Sequence, residues 1–112
     1  MLTKKDRLAL MVKGLPKGYT PKHCLLAVEV LVGVTRELQK QGYRYEEDFS
    51  WPYHVLVPIN PGRHLSIYCG GFRKDIDVQQ LKLDGTADTR FKEVRFRTPE
   101  GAVNCLKRRA MW

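Results

Sequence analysis

Residues 20–42 read TPKHCLLAVEVLVGVTRELQKQG, and how this stretch is read decides the fold. Thr20 suits an N-cap, where a side-chain hydroxyl accepts from an orphan backbone N–H. Pro21 occupies the first helical position, where its missing N–H costs nothing. Gly42 suits the residue just past the end, where a left-handed conformation closes the last turn. At about 100° per residue, Cys24, Ala27, Leu31, Val34 and Leu38 share one helix face, with Val28 and Val30 beside it. The polar stripe of Lys22, Glu29, Gly33, Arg36 and Lys40 is narrow, and Leu25, Leu26 and Val32 are apolar shoulders to it. A helix apolar around most of its girth is covered on two sides. Either the rest of the chain covers it, or a second copy does. In the second case Leu25, Leu26, Glu29 and Val32 form the contact and Gly33 permits close approach. The apolar run falls short of the ~20 residues that span a bilayer, so no membrane partner is expected.

Outward from this helix, Thr3 and Asp6 form a capping-box pattern that predicts a first helix over residues 3–13, with Leu8, Met11 and Val12 as its apolar stripe. Lys4, Lys5, Arg7 and Lys13 lie on the opposite face. Gly14-Leu15-Pro16 stops this helix, and the tight linker sets the two helices as a hairpin or corner. Residues 43–52, YRYEEDFSWP, read as a connector, its acidic triplet solvated and its aromatics either covering the core or bordering a ligand cleft. Residues 53–59 and 64–70 read as a hairpin about an Asn60-Pro61-Gly62-Arg63 turn. Leu65, Ile67 and Cys69 face one side of its second strand. Residues 72–83 change hydrophobic phase midway, which fits a strand bulged near Gln79-Gln80 or a short helix. Residues 90–97 form a strand with Val94 and Phe96 inward, and Thr98-Pro99-Glu100 opens a last helix. The expectation is one α+β domain over 1–112: two N-terminal helices, an antiparallel sheet of three to four strands and a C-terminal helix.

The 112 residues carry a net charge of +8, unevenly spread. Residues 1–22 hold six Lys/Arg against one Asp, and residues 90–112 hold seven against two acids. The two segments between come to −2 and zero. If the fold joins the two ends, a basic face results, the footprint of a nucleic-acid or other polyanion binder. Its cations would be Lys4, Lys5, Arg7, Arg95, Arg97, Lys107, Arg108 and Arg109, with Tyr68 and Phe91 as stacking platforms. The competing reading is a solvated surface that aids solubility.

Three unclustered cysteines, Cys24, Cys69 and Cys105, read as reduced thiols. With no signal-peptide pattern, a soluble cytoplasmic protein is expected. No metal-ligand spacing, phosphate loop or hydrolase motif is present, so neither a metal nor a cofactor is expected. Residues 90–109 share with the RNA-recognition motif a strand followed by a helix start. Glu93 stands where a stacking aromatic belongs, and Lys92 where a small residue does. Helices packed with a meandering sheet in a small basic chain also resemble the RelE/ParE-like toxins, which normally begin with a strand. That likeness implies a ribonuclease whose acid–base and charge-stabilising groups come from His54, His64, Tyr68, Arg73, Arg95 and Arg97. The leading expectation is a non-enzymatic module for nucleic acid or another polyanion. The alternatives are a homo-oligomeric interaction module built on the central helix, and a ribonuclease-like toxin.

Overall fold

A computed structural model describes residues 2–49, 53–59, 63–69, 75–82, 84–88 and 91–109, the last three through their backbone. Trp51, the Asn60–Gly62 turn, Arg73 and the side chains of Lys107, Arg108 and Arg109 lie outside the described residues.

The helix signals are realised closely. Thr3 Oγ1 accepts from Asp6 N–H at 3.1 Å and Asp6 Oδ2 accepts from Thr3 N–H at 3.0 Å, starting α1 (Lys4–Lys13). The central helix, α2, spans Pro21–Gln41 and closes on Gly42 at φ 81°. At its start, the His23 imidazole Nδ1 accepts from Thr20 N–H at 3.2 Å. Thr98 Oγ1 accepts from Gly101 N–H at 3.1 Å and opens α3 (Pro99–Arg109).

Five strands follow α2 or precede α3: β1 (Glu46–Asp48), β2 (His54–Pro58), β3 (Arg63–Tyr68), β4 (Ile76–Lys82) and β5 (Val94–Phe96). They form one antiparallel meander whose spatial order is the sequence order. The class is α+β as expected, with five strands instead of three to four. The extra strand is the acidic triplet, expected as a solvated loop. Glu47 pairs with Val55 in β1–β2, and its side chain turns inward to an ion pair that the sequence pattern hides. Residues 76–82 are strand. The expected bulge is absent: β3 and β4 hold one register from Arg63↔Lys82 to Tyr68↔Asp77. The change of phase is absorbed by burying Gln80 instead of Leu81. Gln80 Nε2 donates to Asp88 Oδ2 at 3.2 Å, and the same oxygen accepts from Arg63 Nε at 3.1 Å. β5 pairs only over Val94–Phe96, shorter than the strand expected over 90–97.

Cross-strand register sorts the side chains into two faces. Val55, Ile67, Val78 and Val94 stand in one row. With Val57, Leu65, Ile76 and Phe96 they face the helices. The stripe expected on α2 meets them: Cys24, Val28, Leu31, Val34 and Leu38 are each 0% exposed. Fully burying one such aliphatic side chain stabilises the fold by about 1.5–3 kcal/mol. α1 lies on one flank of α2 and α3 on the other. The start of α1 borders Val32 and Thr35, so of the two expected arrangements, hairpin or corner, the first two helices form the hairpin. Pro99 of α3 sits over Gly33, where an added Cβ would stand 2.9 Å from Pro99 Cγ.

Among the described residues no helix is long and apolar enough to cross a membrane. Cys24 and Cys69 are buried, Cys105 is half-buried, and none of the three is in a disulfide.

Candidate nucleic-acid interface

The sequence places cations at both chain ends, and among the described side chains those of the N-terminal segment and of the β5 segment lie apart. On the helical side, Lys4, Lys5 and Lys13 of α1, Lys17 of the linker, and Lys22, Arg36 and Lys40 of α2 are all exposed. Arg7 is not among them. It is 6% exposed, and its guanidinium turns inward. Nε donates to Glu47 Oε1 at 2.7 Å, Nη2 to Glu47 Oε2 at 3.1 Å, and Nη1 to the Leu2 carbonyl at 2.6 Å. Tyr53 Oη donates to the same Glu47 carboxylate at 2.5 Å. This fork raises the Arg7 pKa, chiefly through the hydrogen bond to Glu47. Burial, then the Glu47 carboxylate, pushes the Tyr53 phenol up. Arg7 therefore ties α1 to β1 and has no bidentate fork left for a phosphate.

Arg95 lies across the sheet. Register places Asp48, His54, Tyr68, Asp77 and Arg95 in one row over all five strands, on the face turned away from the helices. Arg95 Nε donates to Asp77 Oδ1 at 2.9 Å, and this bond raises the Arg95 pKa. Asp77 is 1% exposed, so the arginine compensates a buried carboxylate. Tyr68 Oη donates to Glu93, and burial with that bond pushes its pKa up. His54 Nε2 lies 3.4 Å from Asp48 Oδ2. Arg97 is exposed just beyond β5, and Phe91 is half-buried at the bend leading into it. α1 sits over the β1 edge, so these residues are about 19 Å away, four inter-strand spacings. Lys4 and Lys5 do not share a patch with Arg95 and Arg97.

His54, His64, Tyr68 and Arg95, named as ribonuclease groups, do share the open sheet face. Three of them are each held by a carboxylate. Glu46, Asp48, Asp77 and Glu93 stand on this face with Arg95, while Arg97 follows β5 and Arg44 precedes β1. At the Arg95 end of this face, Asp77 and Glu93 disfavour an RNA phosphate. No group of three metal-ligating side chains occurs among the described residues.

The oligomer contact also divides. Val32 is 5% exposed under the start of α1, and Gly33 is covered by Pro99. Leu25, 44% exposed, and Glu29 still face outward, with Leu26 half-buried between them. Of the five residues named for a contact between copies, Leu25 and Glu29 are exposed and Leu26 half-buried, while Val32 and Gly33 are covered within the chain.

Sequence reasoning missed the role of Asp77 and Glu93 as anchors for Arg95 and Tyr68. Strand alternation carried the signal: Asp77 is next to inward Val78, and Glu93 is next to inward Val94. No family model, no curated protein and no solved structure matches this chain.

Proposed function

We propose that this chain is a non-enzymatic module that binds nucleic acid through the outer surface of α1, the linker and α2. One observation carries the reading: seven exposed cations, Lys4, Lys5, Lys13, Lys17, Lys22, Arg36 and Lys40, face outward there against Asp6, Glu29 and Glu37. The sheet carboxylates Asp48, Asp77 and Glu93 lie on the face turned away from the helices. A surface polarised in this way orients the protein on a polyanion, where solubility alone needs no such separation.

Phosphate contacts release counterions, so affinity falls as salt rises, by about 0.7–0.9 log units per contact per decade of salt. The test is fluorescence anisotropy with labelled RNA and DNA from 50 to 300 mM salt (about the range over which such contacts are lost). Lys13→Ala with Lys17→Ala is expected to lower affinity and flatten the slope by about 1.4–1.8. Arg97→Ala, across the sheet, is expected to change neither. Absence of binding at the lowest salt, or a binding constant indifferent to salt, refutes the proposal.

A further inference from the structure

Two depressions lie on either side of the Gln39–Tyr45 pair. The first, about 290 Å³, lies between the start of α1 and the second half of α2. Lys4, Arg36, Thr3, Thr35 and Gln39 line it with Arg7, and no carboxylate does. Neither Lys4 nor Arg36 makes an ion pair with another described residue. The second, about 510 Å³, is lined by Tyr43, Arg44, Tyr45, Glu46, Leu56 and His64. Gln39 belongs to the first wall and Tyr45 to the second, and Gln39 Nε2 donates to Tyr45 Oη at 2.7 Å. The cationic depression thus gives way to the aromatic one across a single hydrogen bond.

We propose that the two depressions form one site for a single-stranded nucleic acid: a phosphate on Lys4 and Arg36, and an unstacked base in the depression of Tyr43 and His64. Size separates the roles. The first volume lies at the low end for ligand pockets, about 300 Å³, and suits a phosphate group, while the second admits a base. Chemistry separates them as well. Two cations with no ion-pair partner among the described residues, beside the Gln39 amide, suit an anion. Tyrosine rings offer a π-face, and Glu46 and His64 offer hydrogen-bonding groups to a base edge. A duplex keeps its bases stacked inside and can use only the first depression. This inference rests on the proposed function and adds strandedness to it.

The test compares a labelled single-stranded 12-mer RNA (about the span of one small binding fold) with a duplex of equal length. Lys4→Ala with Arg36→Ala is expected to weaken single-strand binding and flatten its salt slope by about 0.7, the share of one phosphate. Tyr43→Leu keeps an apolar side chain but loses the ring; it is expected to weaken single-strand binding about five-fold or more and spare the duplex. Tyr43→Phe, which keeps the ring, is expected to restore it. Equal loss for both substrates in Tyr43→Leu, or affinity and slope left at wild-type values in the Lys4/Arg36 variant, overturns this site. The proposed function survives that result if Lys13 and Lys17 still matter. Wild-type protein that binds neither substrate refutes both proposals.

Discussion

Glu47→Gln removes the charge at the centre of the link between α1 and the sheet. In the native fold the carboxylate receives Arg7 Nε at 2.7 Å, Arg7 Nη2 at 3.1 Å and Tyr53 Oη at 2.5 Å. Arg7 is 6% exposed and Tyr53 1%, so neither donor can turn to water instead. The amide of Gln has nearly the same shape. It offers one acceptor oxygen and sets an NH₂ against donors, and it leaves the guanidinium uncompensated. Breaking a buried ion pair from one side costs about 3–5 kcal/mol. Arg7 keeps the Leu2 carbonyl at 2.6 Å, which places the loss at the lower end, about 3 kcal/mol. Urea unfolding of a small domain has a slope of about 1–3 kcal/mol/M, so the midpoint should fall by about 1–3 M. Replacing both partners, Arg7→Met with Glu47→Met, leaves no unpaired charge. It should cost less than the sum of the single changes, giving a favourable coupling in a double-mutant cycle. A Glu47→Gln loss under about 0.5 kcal/mol, or strict additivity in the cycle, refutes the reasoning.

Three further outcomes are expected. Gly33→Ala gains helix propensity of about 1 kcal/mol but drives a methyl into Pro99 Cγ, so it should destabilise the protein by about 1 kcal/mol net. In a Pro99→Ala background the same change should stabilise; destabilisation in both, read by thermal melting, shows that Pro99 is not the obstacle. Burial, then Asp77 and Asp75, push the Cys69 thiol up to about 11, so at pH 8 it stays protonated. Iodoacetamide with mass spectrometry should label half-buried Cys105 first and Cys69 only on unfolding; early labelling of Cys69 contradicts its burial. The Thr3 backbone N–H, then its hydroxyl, holds the Asp6 carboxyl below its ordinary 3.8. Its contribution is therefore present above pH 3.8 and lost as pH falls through the lower, folded value. An NMR titration of Asp6 with a midpoint at or above 3.8 rules the cap out.

Helix boundaries were legible because their signals are local: Thr3 with Asp6, Pro21, Gly42 and Thr98-Pro99 each act within four residues of themselves. The α2 core stripe was legible for the same reason, since period alone selects Cys24, Leu31 and Leu38. What could not be read were pairings made across distance. Arg7 looks like one more exposed cation of α1 until Glu47, forty residues on, is brought under it. Gln80 and Leu81 exchange their expected faces because Arg63 and Asp88 supply polar partners inside. Arg95 reads as a free cation until register sets it beside Asp77. The candidate interface was half legible: charge counts found the basic N-terminal segment, but Arg36, Gln39, Tyr43 and Tyr45 join it only through the way α1 and β1 flank α2.

Because the strands meet in the order they are made, each one after β1 finds a partner already synthesised. The helical side is built the other way round. As the chain leaves the ribosome, α2 emerges complete before any strand that covers Cys24, Val28, Leu31, Val34 and Leu38 exists. The nascent protein therefore displays its largest apolar face early and shields it only once β2–β4 arrive, about one to several seconds later at ordinary synthesis rates. Slowing translation across residues 43–70 should lengthen that window and send more of the chain to aggregation or chaperones, with no change in the finished fold.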